Sequence, residues 1–506
     1  MTSQPKLDPL DVAWRTCGVS AECLGAAWEP YDRCLAHLGP AEVESVLRGL
    51  VPGQGIDLRG TTLAEDLLTR VLEGMERRLG RARFDRAVFT GPARFGEAVF
   101  AGDATFEHAR FDHLASFFGT SFTGNVSFGE ARFHRQLSLH GARVRGHGRF
   151  DRIRVGGDAL FSEARFDRDT SFRGADFRGF AAFDGTAFAG DVGFRGAGFR
   201  GAGFRRAVSF RASAVGRSAA FDGLRFHGPA YLGPMLVGRR LSLADVRAGG
   251  PLHVHTGDCR VTLRAAVVTG PFTARLSAAD IDLRDATLTA PSVVTRGGGR
   301  VRITSLDDLD AGALTLNGAD LRTCGLGGLR RPEGLRLSDC LFATTPAGVR
   351  WRLGWPPVRW WTRRVVLADE HLWRGWSPSE VAAGGPPTRR PVDAGWLAAL
   401  YERVRPGVGD AKTSADFAFA AMEMRRLSSP RVRARMLLSV YWLACGYGLR
   451  AGRAIGWLTL VAALAAGTLY WAAGTRPARH WVGPHSRVAV VRSKPPVSPA
   501  PRALHR

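Results

Sequence analysis

The sequence predicts a β-solenoid, and three observations lead to that fold class. Between residues 84 and 243 a large apolar residue, most often Phe, recurs at alternating steps of five and six. Two residues before most of these positions stands a small or apolar residue, as at Ala82, Ala87 and Ala93. The residues between are mainly Arg, Asp, Gly and His, which are typical of surfaces and turns.

The same pattern argues against helical and sandwich folds. Steps of five and six residues form no single apolar stripe on a helix of about 100° per residue. The repeat is also rich in Gly, which costs up to about 1 kcal/mol per residue in a helix relative to Ala. A sandwich or barrel would need longer alternating strands between its turns, and here turn residues follow every short apolar step.

Stacked coils of very short strands satisfy the spacing. Side chains alternate along a strand, so each large residue and the residue two positions before it both point inward. Four sides of five or six residues give a coil of about 22 residues, and coils stack at the strand spacing of about 4.8 Å. The regular part then contains about seven coils, with Phe in interior columns and Ala or Thr beside them.

The runs "ATFEHARF" and "TSFRGADFRG" resemble the Phe-rich branch of the pentapeptide-repeat family. The resemblance implies a right-handed quadrilateral β-helix over residues 81–343, regular over 84–243 and degenerate over 244–343. In the degenerate part Leu takes the place of Phe, as in "ADIDLRDATLTA". Because the repeat specifies a fold and little chemistry, it implies almost nothing about activity.

Residues 1–80 are predicted to be a helical cap over the first coil. The run "TTLAEDLLTRVLEGMERRLG" has apolar residues near helical spacing, Thr62 and Glu65 form a capping-box pattern, and Gly80 is expected to end the helix. A cap is needed because the end coil of a solenoid would otherwise expose apolar surface and unpaired strand edges.

A second cap is expected after the repeats, in a helical region over residues 344–430. Its first part, residues 351–376, is rich in Trp and Arg. Some of these tryptophans are predicted to cover the last coil.

Cys17, Cys23, Cys34 and His37 form a candidate metal site. Three thiolates and one imidazole are a ligand set that zinc accepts, although the first gap is longer than the two to four residues usual in structural sites. The alternative is that these are reduced cysteines packed in the cap without a cofactor. The sequence leaves both possibilities open.

Residues 454–473 are predicted to be a transmembrane helix. They contain no charged residue, and twenty residues at about 1.5 Å each match a hydrocarbon core of about 30 Å. Trp457, Tyr470 and Trp471 stand near the ends, where amphipathic rings prefer the interface. A buried core helix is the less favoured alternative. The N-terminus has no signal-peptide pattern, so a single-pass protein of the cell membrane with a cytoplasmic body is expected.

Residues 431–453 are predicted to be an interfacial or re-entrant amphipathic segment, in which Arg450 and Arg453 contact anionic headgroups. The basic tail, residues 474–506, is predicted to be disordered. The runs "DFAFAAMEMRRL" and "YWLACGYGLRAGRAIGWL" resemble the C-terminal region of membrane-associated pentapeptide-repeat proteins of actinobacteria. That resemblance implies a lipid membrane as one partner.

The net charge and its distribution along the chain limit the classes of function that the protein can have. The formal net charge is +24, and residues 344–506 hold 25 Lys and Arg against 8 Asp and Glu, a difference of +17. With no recognisable catalytic motif, the sequence favours a membrane-anchored, non-enzymatic scaffold that presents its rod to an unidentified protein; the oligomeric state is left open.

The alternative is a regulator that acts on nucleic acid or binds gyrase. DNA mimicry requires an acidic rod, and residues 84–243 carry 23 Lys and Arg against 15 Asp and Glu, so nucleic acid is the less favoured partner.

Overall fold

The five- and six-residue steps fold into stacked two-residue strands, each followed by a tight corner. The computed structural model describes residues 12–199, 208–346, 348–351, 358–361, 363–376 and 393–474. Successive coils pair in parallel at a register of 22 residues, as in Ala82 with Ala104 and Ala104 with Val126. The predicted β-solenoid is confirmed, and it makes about 12 turns.

The solenoid begins with four faces. The first face consists of Ile56–Asp57, Ala82–Arg83, Ala104–Thr105, Val126–Ser127, Gly148–Arg149, Thr170–Ser171, Val192–Gly193, Ser218–Ala220, Arg240–Ser242, Arg260–Thr262, Asp280–Asp282, Val301–Ser305 and Ala319–Asp320. The second face consists of Thr62–Leu63, Val88–Phe89, Arg110–Phe111, Arg132–Phe133, Arg154–Val155, Asp176–Phe177, Gly198–Phe199, Arg225–Phe226, Arg247–Ala248, Val267–Val268, Thr287–Leu288 and Asp310–Ala311.

The third and fourth faces are separate only in the first half of the solenoid. The third consists of Ala93–Arg94, Ala115–Ser116, Leu137–Ser138, Ala159–Leu160, Ala181–Ala182 and Val208–Ser209. The fourth consists of Arg78–Leu79, Val99–Phe100, Ser121–Phe122, Arg143–Val144, Arg165–Phe166, Ala187–Phe188 and Ala214–Val215. Both continue into longer strands, which are Ala230–Val237, Leu252–Gly257, Phe272–Ser277, Ser292–Gly298, Leu314–Asn317 and Leu335–Ser338.

The coil therefore changes from four sides to three at Ala230. Runs such as "FTARLS" alternate buried and exposed residues over six positions without a corner residue, so two short sides become one strand. The register shortens accordingly, from 22 residues to 20 between Arg240, Arg260 and Asp280. The change begins before residue 244, where the sequence pattern becomes degenerate.

The interior is filled by stacked aromatic rings. Ring centroids in the longest column lie between 4.7 and 5.3 Å apart, and this column contains Phe84, Phe106, Phe128, Phe150, Phe172, Phe194 and Phe221. Neighbouring columns meet edge to face, as Phe84 and Phe95 do at 5.5 Å and 76°. Both arrangements suit the ring quadrupole. The predicted columns are confirmed, and buried Thr120 donates a hydrogen bond to the carbonyl of Phe95 at 2.8 Å.

At the N-terminal end a helix replaces one side of the first coil. Helix α1 is Pro40–Arg48 and helix α2 is Glu65–Gly74. In α2, Leu68, Val71 and Leu72 are buried, and the helix packs on the first strand of the third face. The predicted capping box is wrong, because Thr62–Leu63 is a strand of the second face and Ala64 precedes the helix without a side-chain cap. The predicted stop at Gly80 is also wrong, since α2 ends at Gly74 and Arg78–Leu79 is a strand.

Within the described ranges, three α-helices lie between the last coil and residue 430. They are α3, Ala368–Arg374, α4, Ala394–Val404, and α5, Ala411–Ser428. Short antiparallel pairs join Ala343–Thr344 to Val365–Val366 and Gly348–Trp351 to Val358–Trp361.

Apolar side chains of α4 and α5 fill this end of the unit. Leu397, Tyr401 and Phe417 are fully buried, and the Phe417 ring meets Phe342 at 5.2 Å. Trp396 reaches the last coil at Gly327, where an added Cβ would lie 2.2 Å from its ring.

Trp396 lies after residues 351–376, whose tryptophans are the ones predicted to cover the last coil. Trp373 is 37 % exposed. Trp355 and the side chains of Trp351, Trp360 and Trp361 lie outside the described part of the chain.

Two more helices follow among the residues that the structure describes, α6, Val432–Cys445, and α7, Ala451–Gly474. A second unit begins at Tyr441, inside α6. Residues 475–506, which make up nearly all of the predicted disordered tail, lie outside the described residues.

Candidate functional sites

The first candidate site lies in the small cap that precedes α1. Residues 14–33 form two short antiparallel contacts, Thr16 with Ala26 and Trp28 with Arg33. A single 3-10 turn, Leu35–His37, follows Cys34 and turns the imidazole of His37 back towards the three thiols.

The four predicted ligands converge. The His37 Nδ1 atom lies 3.3 Å from Cys17 Sγ, 3.5 Å from Cys23 Sγ and 3.4 Å from Cys34 Sγ. Cys23 Sγ and Cys34 Sγ are 3.9 Å apart, and all four ligand atoms lie within 4.8 Å of one another. No pair is bonded as a disulfide, because all seven cysteines are free.

Close backbone packing brings these groups together. A Cβ on Gly25 would lie 2.5 Å from Cys34 Cβ and 2.7 Å from its sulfur, so the chain can approach Cys34 only with glycine at this position. The Cys17 N–H donates to the Gly25 carbonyl at 2.7 Å. Cys17 and Cys34 are buried, Cys23 is half-buried and His37 is exposed, so the cluster lies at the edge of the cap with two of its thiols inside.

The thiols have different proton affinities. Burial raises the pKa of Cys34 to about 12, and the charges of Cys23 and Cys17 add to this effect. Burial would also raise the pKa of Cys17, but backbone hydrogen bonds at Cys34 and Val19 and side-chain hydrogen bonds with His37 and Cys23 lower it to about 6. A cation at the centre would offset the repulsion that opposes ionisation of all three thiols.

The second candidate site is the apolar helix α7. The stretch Gly452–Ala472 is long and apolar enough to cross a membrane, and none of it is buried within the structure. Trp457 is 43 % exposed, Tyr470 84 % and Trp471 74 %, so the three predicted interfacial rings stand on an uncovered helix. The helix begins three residues before the predicted start and includes Arg453.

The predicted basic residues lie where α6 turns into α7. Arg450 is half-buried in the turn. Arg453 donates to the carbonyl of Trp442 at 3.2 Å, and its guanidinium lies 5.1 Å from the centre of the Trp442 ring. Trp457 Nε1 donates to the carbonyl of Leu443 at 3.0 Å. These contacts fix the start of α7 against the end of α6.

The solenoid surface contains a feature that the sequence reasoning missed, a column of exposed arginines on the second face. The column consists of Arg110, Arg132, Arg154, Arg225 and Arg247, and we call it the arginine column. Its members repeat at the 22-residue register up to Arg154; Asp176 and Gly198 then interrupt the column, and Gly198 pairs with Arg225 at a register of 27 residues. Counting arginines in steps of 22 would have found it in the sequence.

Most of the arginine column lacks a counter-charge. Arg110 pairs with Asp112 at 2.8 Å. Within the described ranges, the guanidinium groups of Arg132, Arg154, Arg225 and Arg247 make no ion pair. Stacked strands lie about 4.8 Å apart, so like charges are held close along this face.

The geometry defines a class of protein, the β-solenoid built from five-residue steps around a phenylalanine core. Residues 78–121 and 150–198 match the family model "Pentapeptide repeats (9 copies)". The solenoid of this chain thus contains pentapeptide repeats, as the sequence predicted, and the aromatic stack supports the Phe-rich branch. No curated protein and no solved structure shows significant similarity to the chain.

Proposed function

We propose that this protein is a membrane-tethered, non-enzymatic scaffold whose second face docks an acidic protein partner. The arginine column carries this proposal. Four of its members, Arg132, Arg154, Arg225 and Arg247, are exposed and lack an ion-pair partner among the described residues. Holding unpaired like charges in register is unfavourable, so an anionic partner would gain from contacting them.

The interior supports a scaffold because it leaves no room for a substrate. Phe106, Phe128 and Phe150 are 0 % exposed and stack directly on one another. Chemistry and recognition are therefore left to the outer surface and the ends.

A protein is favoured over a nucleic acid as the partner. Proteins that bind single strands combine positive charge with aromatic rings free to stack on bases, and here the Phe rings are stacked on one another in the core. The predicted alternative, a regulator that acts on nucleic acid or gyrase, becomes an outcome of the test.

Helix α7 is the proposed tether. Its 21-residue apolar stretch matches the thickness of a hydrocarbon core. We place the solenoid on the cytoplasmic side, because all seven cysteines are free and disulfides are rare in reducing compartments.

Cell fractionation tests the tether. The full chain should sediment with membranes and resist extraction at high pH, whereas a chain ending at Pro430 should be released. Equal recovery of both in the soluble fraction would disprove the tether without bearing on the docking face.

Charge reversal tests the docking face. The variant Arg132→Glu with Arg154→Glu should lose the partner that cross-links to the wild-type chain in native membranes. The matched control is Arg143→Glu with Arg165→Glu on the fourth face, which are also in register but include an ion pair of Arg143 with Asp167 at 3.2 Å. The control should keep the partner.

The same variants decide between partner classes. Salt-sensitive binding of duplex DNA that is lost only in the variant with Arg132→Glu and Arg154→Glu would favour the nucleic-acid alternative. An unchanged set of cross-linked proteins in that variant would exclude the arginine column as the docking face.

A further inference from the structure

We propose that Cys17, Cys23, Cys34 and His37 bind one structural zinc ion that fastens the N-terminal segment onto the first coil. This inference is independent of the membrane tether and of the docking face. It stands on the geometry of four side chains that come from three separate parts of the cap, together with the glycine that lets them meet.

The interatomic distances match a tetrahedron around zinc. With Zn–S of about 2.3 Å and Zn–N of about 2.0 Å, tetrahedral ligands lie about 3.8 Å apart between sulfurs and about 3.5 Å apart between sulfur and nitrogen. The observed separations are 3.9 Å between Cys23 and Cys34 sulfurs and 3.3 to 3.5 Å from the sulfurs to His37 Nδ1. All four ligand atoms lie within 4.8 Å of one another, so small movements of the side chains would let one central cation bind them all.

Hydrogen bonding alone does not account for the cluster. Three sulfurs approach the same nitrogen, His37 Nδ1. That nitrogen has one hydrogen or one lone pair, so it can make one good hydrogen bond with a thiol. A shared metal ion explains why the other two sulfurs come equally close.

The ligand set selects the ion and its role. Thiolate with imidazole in a tetrahedral arrangement favours zinc over the hard cations magnesium and calcium. Four protein ligands complete the coordination and leave no open position for water or substrate. Cys17 and Cys34 are also buried, which suits a structural ion.

Residues 14–33 need such a cross-link because they have little hydrophobic core of their own. Among residues 14–33 the buried apolar side chains are Cys17 and Ala26, and the only extended pairing consists of single bridges. Small units of this kind are commonly held by metals or disulfides.

The zinc ion would hold residues 14–33 against the first coil. Ala26 N–H donates to the Arg59 carbonyl at 2.7 Å, and the Arg59 guanidinium lies 4.6 Å from the centre of the Trp14 ring. At Gly60, a Cβ would come within 2.2 Å of the Leu24 carbonyl oxygen. The proposed zinc ion therefore fixes the backbone conformation of the N-terminal segment, which covers the end of the solenoid.

Metal analysis of the full chain, purified in detergent under reducing conditions, is the experiment. We expect one zinc per chain, released stoichiometrically when a mercurial reagent blocks the thiols. Cys34→Ser should lose the zinc, whereas the control Cys340→Ser, outside the cluster, should keep it.

Two further measurements keep the test decisive if Cys34→Ser misfolds. His37→Cys retains four possible ligands, so it should still bind metal, and its cobalt(II) derivative should show a stronger thiolate-to-cobalt charge-transfer band than the wild type. The far-ultraviolet circular dichroism of each variant reports whether the solenoid is intact.

Three results would overturn the proposal. They are a reduced, folded wild-type chain that contains no zinc and takes up none from solution, stoichiometric iron in place of zinc, or full zinc retention in Cys34→Ser. The first would leave the cluster as packed thiols, and the last would place the ion elsewhere.

Discussion

The rings of Phe84 and Phe106 lie parallel within 3°, with their centroids 4.9 Å apart, although 22 residues separate them in the chain. The same step leads from Phe106 to Phe128, at 4.7 Å. Each ring is therefore supported by the coil before it and the coil after it. Removing one ring should leave a cavity that neighbouring coils cannot close without breaking their register.

Phe128→Ala is predicted to destabilise the solenoid by about 3–5 kcal/mol, the usual cost of removing a buried Phe. Phe128 is 0 % exposed and contacts stacked rings on both sides. Chemical denaturation followed by circular dichroism measures the change. Phe118→Ala is the matched control, since Phe118 is 49 % exposed, and it should cost less than about 1 kcal/mol. Equal losses in the two variants would contradict the columnar core.

The spacing of Phe was enough to predict the columns, the coil length and the inward alanines, because the period of a short strand fixes which side chains share a face. It was not enough to predict that two faces merge at Ala230. The run "AYLGPMLV" contains the turn residues Gly233 and Pro234, yet it pairs with Leu252–Gly257 on both sides of a register shift at these two residues. Pairing between coils overrides the local turn preference there.

Tertiary pairing also explains the wrong start of α2. Thr62 and Glu65 match a capping box locally, but Thr62 and Leu63 pair with Val88 and Phe89 as a strand. At the cysteine cluster the sequence supplied all four residues, and its spacing left both a metal site and packed thiols open. What it could not supply is the fold of the loop that sets Gly25 against Cys34.

The C-terminal cap is predicted to depend on Gly407. A Cβ at this position would lie 1.8 Å from the Leu335 carbonyl oxygen, so Gly407→Ala forces the cap away from the last coil. We expect a loss of about 1–3 kcal/mol, typical of overpacking. Gly409→Ala is the control, because its Cβ would meet the Leu337 carbonyl at an ordinary 3.5 Å. Thermal unfolding compares the two, and an unaffected Gly407→Ala would mean that the cap does not rest on this strand.

Asp369 is predicted to make the fold sensitive to pH between about 4 and about 6. Its carboxylate accepts hydrogen bonds from Leu326 N–H at 2.8 Å and Gly327 N–H at 3.0 Å, which ties α3 to the last coil. Burial nevertheless raises the pKa of Asp369 to about 6, from an ordinary value of 3.8.

The folded chain then binds this proton more tightly than the unfolded chain, so the free energy of unfolding should fall as the pH rises through this window. The expected decrease in the free energy of unfolding is on the order of 3 kcal/mol. Asp369→Asn should remove this slope from denaturation curves recorded at several pH values. Asp112 is the control of opposite sign, since Arg110 holds the pKa of that carboxyl below its usual range. The contribution of Asp112 to the free energy of unfolding should be lost only as the pH falls below about 4. A wild-type slope that persists in Asp369→Asn would assign it to another group.

Helix α7 is predicted to fail as a tether when a charge is placed at its centre. Leu464 lies in the middle of the apolar stretch and is 60 % exposed. An arginine at the centre of a spanning helix costs about 2.5–3.5 kcal/mol on insertion scales. Leu464→Arg should therefore shift much of the chain into the fraction extracted by alkaline carbonate.

Ala454→Arg is the matched control, because it adds the same charge beside Arg453 at the start of the helix, where an arginine side chain can reach the interface. It should remain in the membrane fraction. If both variants are extracted to the same small extent as the wild type, α7 is held by protein contacts and not by lipid, since only a hydrocarbon surrounding makes the position of the charge matter.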